Sequence, residues 1–157
     1  MSKLLFDGIN HAVELIDHDG KSMGKWTAFN NIDSAYARKH YGGLTHLGNG
    51  VYPVQDPHHP HKHAGDSANG SFGSYGIIRF NYPGHPGVGL HSGRANDRCV
   101  PGARHATHGC IRTTDEAMAA IGRYMIKDPI SAITVHGNSQ ASAQHGHARH
   151  GQLIGSP

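Results

Sequence analysis

HATHGCIRTTDEA, residues 105–117, places a cysteine just ahead of the most helix-like segment of the chain. Thr113 and Glu116 have the spacing of a capping box, in which a Ser or Thr precedes a Glu by three positions at a helix start. Asp128-Pro129 ends the segment, because the residue before a proline disfavours helical backbone. Apolar residues recur at helical spacing between these ends, namely Met118, Ile121 and Met125. The sequence therefore predicts one helix shortly after Cys110.

Cys110 has neighbours that favour a reactive thiol. A position shortly before a helix N-terminus lets the helix dipole stabilise a thiolate. His108 and Arg112 are close enough in sequence to add positive charge. Gly109 permits close approach of the backbone to a ligand, and backbone N–H groups beside it are candidates for an oxyanion hole. These features predict a nucleophile whose ionised form is favoured.

A lone cysteine beside a helix is more often structural than catalytic. A catalytic role for Cys110 therefore needs further support from the sequence, namely a candidate base. A thiol nucleophile needs a group that takes its proton and later protonates the leaving amine. His91 is the best candidate, because it ends a glycine-rich segment, Gly87 to His91, that lets a substrate approach the backbone. The histidine precedes the cysteine, which argues against papain-like hydrolases, where the order is reversed.

The rest of the chain is typical of a strand-based domain. Of its 157 residues, 36% are hydrophobic and 22 are glycine, which suits a loop-rich β fold better than a helical bundle. Asp7-Gly8 and Asp19-Gly20 lie between apolar runs and predict hairpins. We expect one domain over residues 1–138 and a low-complexity, disordered tail over 139–157. Further strands are predicted at residues 51–54, 75–82, 87–91 and 130–135.

Charge and composition exclude several classes of protein. A formal net charge of +3, without a basic stripe, does not indicate nucleic-acid binding. No run approaches the roughly 20 apolar residues of a membrane span, and no signal peptide is visible, which predicts synthesis in the cytoplasm. Two cysteines, Cys99 and Cys110, are too few for a disulfide scaffold. We expect Cys99 to be a bystander and Cys110 a free thiol.

The complete pattern resembles the signature of the L,D-transpeptidase catalytic domain. That signature is a histidine, a spacer, then Ser/Thr-His-Gly-Cys and an arginine. Here it is matched by His91, the spacer 92–106, and Thr107 to Arg112. Gly50 to Val54 is similar to the family's Gly-x-Tyr-x-Val strand, and Gly89 to Gly93 to its glycine-flanked histidine. The resemblance covers roughly residues 45 to 136.

The resemblance implies a mainly β fold, an L,D-transpeptidase-like sandwich or barrel with one helix following the catalytic cysteine. It implies that Cys110 is the nucleophile and His91 the base, oriented by a backbone carbonyl instead of a carboxylate. That carbonyl is assigned to Ser92 or Gly93. No cofactor or metal is implied. The residues expected to shape the oxyanion site or to place substrate carboxylate and carbonyl groups are Thr107, His108, Gly109 and Arg112.

The same resemblance implies an activity on peptidoglycan stem tetrapeptides. The enzyme would attack the bond between the third residue and the terminal D-alanine and form a thioester on Cys110. Transfer to an amine gives a 3–3 crosslink or an exchanged D-amino acid, and transfer to water gives carboxypeptidase action. The family also includes small effectors that bacteria inject into competitors. Membership of that group would imply delivery by a secretion system, action in the periplasm and a cognate immunity protein.

Two other functions fit parts of the sequence. The histidines of residues 58–63 suggest a metal-binding module with Cys110 and His108 as further ligands, although Pro60 interrupts the run and a solvated loop is the simpler interpretation. A cysteine hydrolase acting on another amide is the third option. Arg79 lies among apolar residues of a predicted strand, and alternation predicts that it faces outward.

Overall fold

The computed structural model describes residues 1–32, 35–94, 102–139 and 141–142. Cys99 and most of the predicted tail 139–157 lie outside these ranges. Two helices are described, α1 Ala35–His40 and α2 Asp115–Lys127, together with a 3₁₀ turn, Gly102–Arg104. The described strands are β1 Ser2–Asp7, β2 Ala12–Ile16, β3 Ser22–Phe29, β4 Gly50–Pro53, β5 Ile78–Arg79, β6 Gly89–His91, β7 Ile111–Thr113 and β8 Ile130–His136.

The first three strands form an antiparallel meander, as their turn residues predict. Asp7 Oδ1 accepts a hydrogen bond of 2.9 Å from the backbone N–H of Ile9 and closes the first turn. Asp17 Oδ1 accepts two bonds of 2.9 Å from the N–H groups of Asp19 and Lys21 and closes the second. The short Asp side chain thus fixes each hairpin by capping its own turn.

The eight strands form one sheet in the order β4-β8-β1-β2-β3-β7-β6-β5. β1 pairs in parallel with β8, so the first and last strands are neighbours inside the sheet. The two outer strands also meet, because Val54 forms an antiparallel bridge with Phe80. The N–H of Gln55 donates to the carbonyl of Arg79 at 2.8 Å beside this bridge. The sheet is therefore curled into a barrel-like form, which confirms the predicted mainly β class.

Helix α2 is confirmed, but it begins one residue later than the predicted capping box. Thr114 is the N-cap, and its Oγ1 accepts a hydrogen bond of 3.1 Å from the N–H of Ala117. Thr113 ends β7 instead, and its hydroxyl donates to the carbonyl of Thr27 at 2.7 Å. Thr113 and Thr114 are both suitable N-cap residues. Because β7 pairs with β3, Thr113 lies in the sheet, and Thr114 is left as the N-cap.

The core lies between α2 and the inner face of the curled sheet. Met118, Ile121 and Met125 of α2 are all at most 1% exposed. They belong to one buried apolar cluster with Phe6 and Phe80 of the sheet region. Within the described part of the chain, no helix combines the length and apolar character needed to cross a bilayer.

Ile121→Ala should lower the free energy of unfolding by about 2–5 kcal/mol, because it leaves a cavity in this cluster. Ile126 is on the same helix but 78% exposed, so Ile126→Ala should change the free energy by less than about 0.5 kcal/mol. Urea denaturation of both variants measures the difference. Equal losses would contradict the placement of α2 against the sheet.

Candidate active site

Three neighbouring strands bring the sequence-predicted residues together. β6 and β7 run parallel, with Leu90 opposite Ile111 and His91 opposite Arg112. One step earlier in this register, Gly89 lies beside Cys110. Side chains two positions apart on a strand share a face, so Cys110, Arg112 and His91 project to the same side. Cys110 and His91 are diagonal neighbours on adjacent strands, a separation that an aromatic ring can bridge.

His91 is buried and held in one orientation. Its side chain is 2% exposed, and Nδ1 lies 2.7 Å from the carbonyl oxygen of Ser92. Because a carbonyl only accepts, Nδ1 carries the proton and Nε2 is the basic nitrogen. Phe72 packs edge-on against the ring, with centroids 4.9 Å apart. Burial, aided by the charge of Arg112, lowers the pKa of His91 to about 3.

Cys110 is a free thiol and 8% exposed. Burial raises its pKa to about 11, against the opposing effects of a Gly89 backbone hydrogen bond and the charges of Arg112 and Arg79. Burial, and not the expected stabilisation of the thiolate by the helix dipole, therefore determines the direction of the pKa shift of Cys110. β7 separates the cysteine from Thr114, the cap of α2, and a helix dipole acts only near its terminal turn.

Thr107 shapes the loop that carries the thiol. Its Oγ1 donates to the carbonyl of Cys110 at 2.7 Å and accepts from the N–H of Gly109 at 3.2 Å. The Gly109 N–H therefore faces the threonine, not an oxyanion. Gly109 itself has φ +149°, and an added Cβ would lie 2.6 Å from His85 Nε2. The loop geometry thus requires glycine at this position.

A buried pair of asparagines, Asn30 and Asn138, anchors the same loop, although neither belongs to a motif of the sequence. Asn30 Nδ2 donates to the carbonyls of Gly109, at 2.9 Å, and Cys110, at 3.3 Å. Asn30 Oδ1 accepts from the N–H of Leu47 at 2.8 Å and from Asn138 Nδ2 at 3.0 Å. Both asparagines are at most 3% exposed. They tie the cysteine loop to the ends of β3 and β8.

Arg112 is a buried structural tie. It is 2% exposed, and its Nη1 and Nη2 donate to the backbone carbonyls of Ala106, at 3.2 Å, and Ser71, at 2.7 Å. Burial lowers the pKa of Arg112 to about 10, which leaves the guanidinium charged at neutral pH. Each terminal nitrogen thus donates to a backbone carbonyl of the protein, and the contact of Arg112 with substrate groups stays a prediction.

The remaining sequence-predicted residues lie around this centre. Ser92 and Gly93 are buried, and Gly93 adopts φ +92°, in the region that glycine favours. His108 is exposed, and its carbonyl lies 3.2 Å from His85 Nε2. The His85 ring stacks on Tyr41 with centroids 3.7 Å apart. His108 is thus at the rim of the site, while Ser92 and Gly93 are part of its frame.

The histidine-rich loop does not gather metal ligands in the described ranges. No group of three His, Cys, Asp or Glu side chains is close enough there to hold a metal ion. His59 and His63 instead approach carboxylates of their own loop, Asp56 at 3.4 Å and Asp66 at 3.7 Å. A groove of about 630 Å³ lies between this loop and α2, and neither Cys110 nor His91 lines it.

The low pKa of His91 predicts a specific loss of stability in acid. Below pH 6.5 the unfolded chain binds a proton at this residue, whereas the folded protein does so only near pH 3. The free energy of unfolding should therefore fall by up to about 1.4 kcal/mol per pH unit in this window. Urea denaturation between pH 7 and 4 should show a shallower decline for His91→Gln, whereas the exposed-site variant His58→Gln should follow the wild type. Parallel curves for wild type and His91→Gln would contradict the burial of a neutral His91.

Comparison with known proteins gives one family. The family model of the L,D-transpeptidase catalytic domain (YkuD) matches residues 18–130. No curated protein sequence matches the chain. Bd1075 of Bdellovibrio bacteriovorus is similar in structure, with a TM-score of 0.58, 14% identity, and coverage of 92% of this chain and 52% of that one.

An L,D-transpeptidase of Stackebrandtia nassauensis gives a TM-score of 0.51 at 13% identity, covering 87% of this chain and 55% of its own. The chain thus spans about half the length of these two solved structures, which share its fold. The family model matches well over half of the chain and includes β6, which ends at His91, and β7, which begins directly after Cys110. The chain therefore belongs to the L,D-transpeptidase catalytic domain family.

Proposed function

We propose that the enzyme cleaves peptidoglycan stem tetrapeptides before their terminal D-alanine, with Cys110 as nucleophile and His91 as base. The observation that carries the proposal is the geometry of this pair. Both side chains project from one face of adjacent parallel strands, and the Ser92 carbonyl holds the Nδ1 proton so that Nε2 is basic. A histidine oriented by a backbone carbonyl performs the same task as one oriented by a carboxylate.

The first half-reaction forms a thioester. His91 Nε2 takes the thiol proton as Cys110 Sγ attacks the carbonyl carbon between the third residue and D-alanine. The tetrahedral intermediate collapses when the carbon–nitrogen bond breaks, and the imidazolium returns the proton to the departing amine. D-alanine leaves as a neutral amine at its nitrogen, and the acyl group stays on sulfur.

The second half-reaction releases the acyl group. His91 removes a proton from the incoming amine or water as it attacks the thioester carbon, and the carbon–sulfur bond breaks. The proton then returns to sulfur and restores the thiol. An amine of another stem gives a 3–3 crosslink, a free D-amino acid gives exchange, and water gives carboxypeptidase action.

The electrostatics of the site favour proton transfer during attack over a preformed ion pair. A thiol with a pKa of about 11 and an imidazole with a pKa of about 3 are both neutral at pH 7. The charge that develops on sulfur is opposed by burial but favoured by the Gly89 hydrogen bond and the charge of Arg112. The base is therefore needed at the moment of attack, when the proton leaves sulfur.

The surrounding residues serve as supports in this proposal. Thr107 and Asn30 hold the Cys110 carbonyl and thereby orient the nucleophile loop. Gly109 allows the sharp backbone, and Arg112 binds neighbouring loops while adding charge. His108, exposed at the rim, is the residue of the motif best placed to meet a bound stem peptide.

Mass spectrometry of purified tetrapeptide muropeptides tests the proposal. Wild type should remove terminal D-alanine or produce 3–3 dimers, and Cys110→Ala should abolish both because no thioester forms. The other cysteine provides the matched control, so Cys99→Ala should retain the activity. Activity that survives in Cys110→Ala would contradict the assignment of Cys110 as nucleophile. A wild type without activity would contradict the assignment of stem tetrapeptides as substrate.

We also propose, on the resemblance to small injected effectors, that the enzyme acts in the periplasm of competing bacteria. Delivery by a secretion system and a cognate immunity protein belong to this proposal. Production in a Gram-negative host with a periplasmic targeting signal should lyse or deform cells, since stem peptides are substrates there. Cytoplasmic production and periplasmic Cys110→Ala should be harmless. Equal growth in all three cases would contradict the effector role.

A further inference from the structure

Arg79 lies in the same cross-strand row as Cys110. β5 pairs with β6 in an antiparallel register that places Arg79 opposite Gly89, and Gly89 lies beside Cys110 in the parallel register of β6 and β7. The residue between the arginine and the cysteine therefore has no side chain. An added Cβ at Gly89 would lie 2.5 Å from the carbonyl oxygen of Ile78, so the close approach of β5 requires glycine.

Arg79 thus projects to the face of the thiol, whereas simple alternation predicted that it faces outward. It is half-buried, and its positive charge lowers the pKa of both His91 and Cys110. Among the described residues, no Asp or Glu forms an ion pair with it. Arg79 is therefore a half-buried guanidinium on the same side of the sheet as Cys110, without an ion pair to a carboxylate of the described residues. Such a group is suited to binding an anionic ligand.

Arg79 contacts His63, the first of a row of side chains that leads to His91. Its Nη2 lies 3.5 Å from His63 Nε2. The backbone of His63 is held by Asp66, whose Oδ2 accepts a hydrogen bond of 3.0 Å from the His63 N–H. Phe72 packs between the two histidines, with ring centroids 5.4 Å from His63 and 4.9 Å from His91. Arg79, His63, Phe72 and His91 therefore form one continuous row of contacting side chains that leads to the candidate base.

We propose that Arg79, supported by His63, binds the terminal carboxylate of the leaving D-amino acid. This inference rests on the proposed function. Adjacent strands are about 4.8 Å apart, so Arg79 and Cys110 start about 10 Å apart, and the arginine reaches back over Gly89. The carboxylate to be bound is only one residue, about 3.8 Å of chain, beyond the scissile carbonyl.

A planar guanidinium offers two parallel N–H groups to a carboxylate. Arg112 is a poor alternative, since its terminal nitrogens already donate to Ala106 and Ser71. Binding at Arg79 would place the scissile carbonyl over Cys110 and select substrates with a free C-terminus. The site is therefore an exopeptidase-type anion subsite that sets which bond is cut.

Two tetrapeptides that differ only at the C-terminus test the subsite. One ends in D-alanine and the other in D-alaninamide, and kcat/KM is measured for each with wild type, Arg79→Gln and Lys62→Gln. Wild type should prefer the acid by about tenfold to a hundredfold, the usual effect of a hydrogen bond to a charged group. Arg79→Gln should lose that preference by slowing the acid alone. Lys62→Gln removes an exposed cation and should behave as wild type.

The outcomes separate this inference from the function on which it rests. Cleavage of acid and amide at equal rates by wild type would overturn the carboxylate subsite while leaving the proposed function intact. An equal loss on both peptides in a folded Arg79→Gln would also overturn it, since the arginine would then act on the thiol and not on the ligand. A loss of rate in Arg79→Gln that occurs only when the third residue is diaminopimelate, and not when it is lysine, would assign Arg79 to that side-chain carboxylate and overturn the present assignment. Failure to cleave either peptide would overturn the proposed function itself.

Discussion

The parallel pairing of β6 with β7 is the constraint on which the site depends. It brings His91 opposite Arg112 and, one step earlier, Gly89 beside Cys110. Parallel neighbours cannot be joined by a tight turn and need a long crossover connection. The segment between the histidine and the cysteine supplies that crossover, which is why the motif has a long spacer. The two chemical groups are then fixed by main-chain hydrogen bonds, and their relative position does not depend on side-chain packing alone.

Burial gives this site its chemical character. Both His91 and Cys110 are at most 8% exposed, and removal from water disfavours the charged form of each group. The positive charges of Arg112 and Arg79 favour the thiolate form of Cys110 and disfavour the imidazolium form of His91. Asn30 donates to the carbonyls of Gly109 and Cys110, and Asn138 donates to Asn30 Oδ1 and to the carbonyl of Leu47. An unpaired polar group in such surroundings is costly, so these hydrogen bonds help to stabilise the buried loop that carries Cys110.

Local signals in the sequence predicted much of the fold. The features that they did not predict depend on contacts between segments that are distant in sequence. Asp-Gly turns and the Cys-containing motif depend on neighbouring residues, so both could be inferred from short stretches. Arg79 could not, because Ile77 and Ile78 beside it are both buried, and alternation loses its meaning where both faces of a strand are covered. Asn30 is distant from Cys110 in sequence, and nothing local indicates that its amide meets the cysteine loop. The N-cap of α2 is Thr114 and not the predicted Thr113, because Thr113 pairs with β3 in the sheet.

The position of β1 has a consequence for how the molecule forms. Residues 2–7 lie between β2 and β8, and β8 spans residues 130–136. The central strand pair therefore joins segments from opposite ends of the domain, a connection with high contact order. Such pairings are slow, because a long loop must close before any contact is gained. Until residues 130–136 are synthesised, the β1 edge of the N-terminal meander lacks its partner strand, and an unpaired edge is open to association with other chains. A chain without residues 130–136 would leave this edge of β1 unpaired.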